Sequence, residues 1–534
     1  MKNLSTRNLQ QPINLFCILV ITLALLLPNQ LSAFDWADFV ALPLEALLLG
    51  LGLLLPGRAG KVFRIVAAVI FTLGILLKFA DMAVFQIFAR PFNPVLDAFF
   101  FVNGMNLLNG ALGHLLALLV AVLLGGLVLA IVAFVFWLLK RAQQQLHLAP
   151  KTSLGILLAG LVVWFFIVVT GRQGASKISY DQLAEHVSAM YRSYAELEQF
   201  HQEIAIDPVL DKTPAANVFS KLKGKDVLVV FIESYGRIVL DKPEFAEHIR
   251  PLLQQASGEF AAHGIGTRSA YLTSSTLGGL SWLAHGTAMS GLWIDSQVRY
   301  DSLIMSQRPS LNRLFKDAGW RTLAVMPAIT MAWPEGNYFG YSHIYAANDL
   351  GYKGLPFNWV TMPDQYTLAA FQALERKPGH APVMTEMALI SSHAPWTPIP
   401  ALVDWNAVGD GTIFNAQAAS GDSPEIVWQD NQRIRTQFRK SIEYALANLV
   451  SYATTYGDDN LVILAFGDHQ PAPLVTGATA NRDVIVHLIA RDPKVLEDVA
   501  SWQWTEGMLP AGNAPVWRMD EVRTRLLETF SGAQ

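Results

Sequence analysis

Three short apolar runs in this chain each end in side chains that hold cations or move protons. The run 227–232 leads into Glu233, Ser234, Tyr235 and Gly236; the run 387–390 leads into Ser391, Ser392 and His393; the run 461–465 leads into Gly467, Asp468 and His469. Two carboxylates and two imidazoles make a mixed oxygen and nitrogen donor set suited to a divalent cation and a bound anion. Taken singly, a carboxylate after a strand is a turn former or helix cap, and a lone histidine a structural group. Three strand ends carrying ligand types together point to a site at Glu233, His393, Asp468 and His469.

Such a site needs a nucleophile. The stretch 273–285 is rich in hydroxyls and flows into helix-compatible sequence, so its backbone N–H groups and the positive end of a helix would face an anion. Within it the residues alone leave several hydroxyls open, Thr276 among them. A free threonine hydroxyl attacks poorly near neutral pH, whereas one bound to a divalent metal gives up its proton more readily. Thr273, Ser274 and Ser275 are rivals, Ser275 foremost. His285, nine positions after Thr276, is expected to back the site or to pack in the core.

Positioning these groups requires strands that point the same way. The runs 227–232, 322–325, 387–390, 461–465 and 484–489 read as buried strands, with helical patterns between them at 310–318 and 433–456. Buried strands alternating with helices predict an α/β domain with a mostly parallel sheet flanked by helices, which binds ligands beyond the carboxyl ends of its strands.

The first third of the 534-residue chain is of another kind. Only 15% of all residues are charged, against roughly 25% in soluble proteins, and the apolar excess lies before residue 172. Five apolar stretches, 13–33, 37–55, 62–83, 113–139 and 154–171, approach the ~17–25 residues of a membrane-crossing helix. The first resembles a cleavable leader, but a second apolar run follows almost at once, so a retained helix in a hairpin is expected. Lys2 and Arg7, then Arg58, Lys61 and Arg64, then Lys140, Arg141 and Lys151 fall on one side of this arrangement, which makes that side cytoplasmic. Everything after 172 is then placed outside, as a linker over 173–223, amphipathic at 177–204, and a catalytic domain over 224–534. Glu45, Lys78 and Asp81 are ionisable groups within apolar stretches, and suggest either a structural Lys78–Asp81 pair or a polar notch for a lipid headgroup. A net charge of −4 without a long basic run argues against nucleic acid as a partner, and the single cysteine, Cys17, allows no disulfide within the chain.

The five-helix layout and the order of the motifs resemble the lipoteichoic acid synthases and related phosphoglycerol transferases, in the sulfatase-like branch of the alkaline phosphatase superfamily. Glu233-Ser-Tyr-Gly resembles the first metal-ligand motif, Thr276-Leu-Gly-Gly the nucleophile, Ser392-His393-Ala-Pro the substrate-binding histidine, and Gly467-Asp468-His469 the last ligand pair. The resemblance implies one divalent cation, manganese first with zinc or magnesium as alternatives, held by Glu233, Thr276, Asp468 and His469. It also implies a phospho-threonine intermediate, a membrane phospholipid as donor, a glycan or lipid as acceptor, and a bacterial inner membrane with the catalytic domain periplasmic. The chain departs from the pattern before Phe339-Gly-Tyr341, where the arginine that helps hold phosphate in the synthases is absent. Trp333 or Glu335 at that rim would suit a cationic headgroup such as ethanolamine. Asp483 lies near a position that carries a further metal-binding histidine in some phosphoethanolamine transferases, and Asp483 or His487 would support a weak second ion. A membrane-anchored phosphoester or sulfate-ester hydrolase and a non-catalytic receptor or scaffold are the alternative readings.

Overall fold

The structure, a computed structural model, describes residues 2–88, 91–94, 97, 104, 113–477 and 481–532. Two compact units emerge: Met1–Gln86 with Arg90–Glu196, and Leu197–Gln534 with Ile87–Ala89.

In the first unit the apolar stretches become helices α1 (Lys2–Leu26), α2 (Leu44–Leu53), α3 (Gly57–Phe88), α4 (His114–Leu146) and α5 (Pro150–Val169), followed by α6 (Ile178–Ile204). Among the described residues three apolar helices, Gly57–Phe85, His114–Leu146 and Pro150–Val169, are long and apolar enough to cross a membrane. The first two stretches differ from expectation. Helix α1 stops at Leu26 and not near 33, because Pro28 disfavours helical backbone in the residue before it. Over 37–55 only ten residues are α-helical, about 15 Å of rise against the ~30 Å of a bilayer core. A 3₁₀ turn at Trp36–Val40 and Pro43 at the N-cap take up the remainder.

Helix α2 nevertheless runs antiparallel beside α5, with glycines where leucine side chains of the facing helix pack closely. A Cβ on Gly50 would lie 2.8 Å from Leu157 Cδ2, and one on Gly160 2.8 Å from Leu47 Cδ2. Leu42–Pro43 before α2 pairs with Ala175–Ser176 after α5, while Gln143 Nε2 and His147 Nε2, at the end of α4, reach the Leu53 carbonyl.

The second unit is built on a mixed sheet of nine strands: β1 (Asp226–Ile232), β2 (Gly266–Thr273), β3 (Arg321–Met326), β4 (His343–Ala346), β5 (Val383–Leu389), β6 (Leu461–Gly467), β7 (Asp483–Ala490), β8 (Thr505–Glu506) and β9 (Val516–Arg518). The order is β8-β2-β7-β6-β1-β5-β3-β4, with β9 also on β2. The block β6-β1-β5-β3-β4 is parallel, as expected, but β7 is antiparallel to both its neighbours and β8 to β2. Helices α7 (Pro243–Ala262), α8 (Ser281–Ser290), α9 (Leu311–Asp317), α10 (Asp364–Glu375) and α11 (Asn431–Tyr456) join this sheet in one hydrophobic core.

This unit starts earlier than the expected 224. Phe200 and Phe219 are fully buried in its core, Phe219 stacks on Phe315 at 3.9 Å, and Asp207 pairs with the buried Arg523 at 2.6 Å. Half of the expected linker is therefore packed structure.

Candidate metal centre and its hydroxyl

Strands β1 and β6 are parallel neighbours with Ile232 opposite Gly467, so the residues that follow them emerge side by side. Gly467 is required there, since a Cβ on it would sit 2.2 Å from the Tyr235 carbonyl oxygen. Beyond it, Glu233, Asp468 and His469 are buried, at 8%, 1% and 1% exposure. Ligand atoms of the three lie within 4.8 Å of one another. The Nε2 of His469 is 3.4 Å from Glu233 Oε1 and 3.6 Å from Asp468 Oδ2. Its Nδ1 donates to the Gln470 carbonyl at 2.8 Å, which leaves Nε2 as the lone-pair nitrogen. Asp468 Oδ1 is oriented by the backbone N–H groups of Ser234 and His469, at 2.8 and 2.7 Å.

The charges of the three groups act on one another. Burial and the neighbouring charge of Glu233 push Asp468 up to about 6. Burial also pushes Glu233 up, but the imidazoles of His393 and His469 and the hydrogen bonds of Ser234 and Asp468 outweigh it and hold that carboxyl below its usual range. For His469 the two carboxylates overcome burial and raise the imidazole. Two buried carboxylates and an imidazole form a donor set that a divalent ion would fit, displacing a proton from His469 Nε2 and relieving the repulsion of the carboxylates.

The hydroxyl that hydrogen-bonds this cluster belongs to Ser281. Ser281 Oγ lies 3.3 Å from Glu233 Oε2 and 3.2 Å from His469 Nε2. It is the first residue of α8, entered through Gly278, Gly279 and Leu280, all at positive φ. Thr276 is buried, its Oγ1 has no hydrogen-bond partner, and its N–H donates to Ser274 Oγ. Ser275 Oγ accepts from Thr287 Oγ1 at 2.8 Å. The sequence held a signal for Ser281. Gly278 and Gly279 break the chain, and the hydroxyl that opens the helical pattern after them takes the helix N-terminus.

His285 lies one turn below Ser281 on the same face of α8. Its ring stacks on Phe231 at 3.6 Å, and its Nδ1 donates to Glu386 at 2.8 Å. Glu386, 1% exposed within β5, also accepts from Asn312 Nδ2 and Tyr341 Oη. Sequence reading passed over Glu386, since a carboxylate and Thr385 interrupt the apolar run. The rim histidine His393 is exposed, with Nδ1 donating to the Ala394 carbonyl at 2.6 Å. Its loop is held by Ser392 Oγ donating to the Glu233 carbonyl, and by Asp364 Oδ1 accepting from the N–H groups of Ile390 and Ser391. Trp333 is half-buried against Phe339 and Tyr341, at 5.9 and 6.0 Å.

The residues expected to support a second ion do other work. His487 is fully buried, with Nε2 on Tyr235 Oη at 3.0 Å and Nδ1 on Ser269 Oγ at 2.7 Å, so neither nitrogen is available. Asp483 accepts from Thr273 Oγ1 at 2.8 Å and pairs with Arg237 at 3.3 Å.

Fold and cluster together define an α/β domain with buried carboxylate and imidazole groups gathered at the carboxyl ends of parallel strands. Residues 225–484 match the Sulfatase family model. Among solved structures, the lipoteichoic acid synthase LtaP from Listeria monocytogenes is similar at 14% identity and a TM-score of 0.39, over 60% of this chain and 79% of that one. The lipooligosaccharide phosphoethanolamine transferase EptA from Neisseria meningitidis is similar at 13% identity and a TM-score of 0.48, over 96% and 95%. The phosphoglycerol transferase GacH from Streptococcus pyogenes, in complex with sn-glycerol-1-phosphate, is similar at 13% identity and a TM-score of 0.37, over 64% and 82%. No curated protein matches the sequence.

Proposed function

We propose that the protein is a metal-dependent phosphotransferase of a bacterial inner membrane, which moves a phosphoglycerol or phosphoethanolamine headgroup from a phospholipid to a glycan or lipid acceptor on the periplasmic side. The match to the Sulfatase family model, the motif order and the apolar helices support this reading. The observation that carries it is the Ser281 hydroxyl within hydrogen-bond reach of Glu233 and His469 at a helix N-terminus.

Glu233, Asp468 and His469 would hold one divalent cation, with Ser281 taking the place expected of Thr276; manganese is the first candidate. When bound, the ion acidifies a neighbouring hydroxyl and offsets charge on phosphate. Ser281 donates its hydrogen bond to Glu233 Oε2, which leaves a lone pair of Oγ for the phosphorus. The Oγ–P bond forms as the bond from phosphorus to the diacylglycerol oxygen breaks. The serine proton is shed toward Glu233, and His393, with Nδ1 tied to a carbonyl, delivers a proton from Nε2 to the leaving oxygen. An acceptor hydroxyl then attacks the phospho-serine and gives its proton to His393 Nε2; as the new O–P bond forms, the Oγ–P bond breaks and Ser281 recovers the proton shed toward Glu233. Backbone N–H groups of the first turn of α8 bind the phosphoryl oxygens.

The test uses the purified full chain with manganese and fluorescent phosphatidylethanolamine or phosphatidylglycerol. Diacylglycerol release is expected from wild type and from Thr276→Ala, and a loss of at least about 10³-fold from Ser281→Ala. Full release by Ser281→Ala would move the nucleophile elsewhere.

A further inference from the structure

The membrane unit contains a cavity of about 540 Å³, within the usual range for ligand sites, between α1, α2, α3 and the start of α6. Its wall is largely apolar, with Leu49, Phe63, Phe71 and Leu183 among the lining residues. Two of its ionisable groups are already satisfied. Lys78 Nζ donates to the carbonyls of Ala24, Leu25 and Leu27 at 3.4, 3.0 and 2.6 Å, which caps the end of α1 with all three of its protons. Asp81 accepts from Asn29 Nδ2, the Phe92 N–H and His186 Nε2, at 2.9 to 3.0 Å. Neither the expected Lys78–Asp81 pair nor a phosphate-binding lysine is present.

Glu45 differs. Its Oε1 accepts the Tyr180 N–H at 2.8 Å, while its buried Oε2 has no partner, and the buried Oε1 of Gln182 in the same wall has none either. Unpaired acceptors in an apolar layer are costly, and a carboxylate there calls for a cationic donor. A phosphatidylglycerol headgroup brings hydroxyl donors but sets a negative lipid beside Glu45. A choline headgroup brings the charge without an N–H. A primary ammonium on an apolar-tailed lipid supplies both.

We propose that this cavity is a binding site for a phospholipid with a primary ammonium headgroup, which is received by Glu45 Oε2 and Gln182 Oε1. The site rests on the membrane unit alone and does not depend on the transferase reading.

The test is lipid competition on the full chain in detergent. Phosphatidylethanolamine, phosphatidylglycerol and phosphatidylcholine of identical acyl chains are offered in equal amounts, and the retained lipid is read by native mass spectrometry. Wild type is expected to retain phosphatidylethanolamine about tenfold over the other two. Glu45→Gln, which keeps the shape and removes the charge, is expected to bring the three to parity. Gln182→Leu is expected to weaken the preference several-fold, and it decides the matter if Glu45→Gln does not fold. Ser281→Ala is expected to keep the full preference, so loss of catalysis and loss of lipid selection are read separately. Equal retention of the three lipids by wild type, or an unchanged preference in both wall variants, overturns the proposal.

Discussion

His487 carries a pH dependence that follows from its burial alone. Enclosed between Tyr235 and Ser269, its ring is pushed down to about 3 from the ordinary value of 6.5. As pH falls, the unfolded chain takes up this proton first. The stability contributed by the neutral ring is whole above about 6.5 and is lost progressively between about 6.5 and 3. The stability difference between wild type and His487→Gln should therefore narrow from pH 7 to pH 4, as measured by urea denaturation across that range. At the ligand cluster, a chelator should lower the melting temperature and an added divalent ion restore it, by about 2.7 kcal/mol at an ion concentration 100 times its Kd. Glu233, Asp468 and His469 were legible in sequence because each directly follows an apolar strand. Ser281 is harder to pick out, because five hydroxyl residues within nine positions compete until the break at Gly278 and Gly279 is read as the helix start.

Among the elements, β5 and α8 are joined through one buried carboxylate. Glu386 accepts from three donors, His285, Asn312 and Tyr341, and so links two helix-borne groups and the loop before β4 to the strand beside β1. Glu386→Gln places an amide N–H₂ against donors and should cost about 1–3 kcal/mol of stability, read as a lower urea midpoint at unchanged slope. His285 sits on the same helix face as Ser281, so a parallel fall in the rate of diacylglycerol release is expected. The strands themselves were well marked by their apolar runs. Strand β2 was missed, since Thr267, Arg268 and Ser269 dilute its pattern, and β7 was found without its reversed direction, which no local residue encodes.

At the scale of the whole chain, two differently composed units make separable predictions. Residues 197–532, which carry their own core, should fold as a soluble domain with a single cooperative melt, whereas a cut at 224 would remove Phe200, Asp207 and Phe219 from that core and lower the melt. Orientation is checked with a cysteine at the exposed Ser420 in a Cys17→Ser background, where a membrane-impermeant maleimide is expected to label from the periplasmic side.

Composition and pattern were enough to divide the chain into an apolar part and an α/β part, and to nominate the metal-type residues, because hydrophobic periodicity and strand-end polarity are local properties. Helix limits at Pro28 and Pro43 refined the membrane part by equally local rules. The choice among neighbouring hydroxyls, the partners of His285 and the unfilled acceptors of Glu45 and Gln182 depend on groups that lie from 48 to 188 positions apart in sequence. Long-range strand register and helix packing bring those groups together or leave them apart, and that information exists only once the backbone has closed on itself.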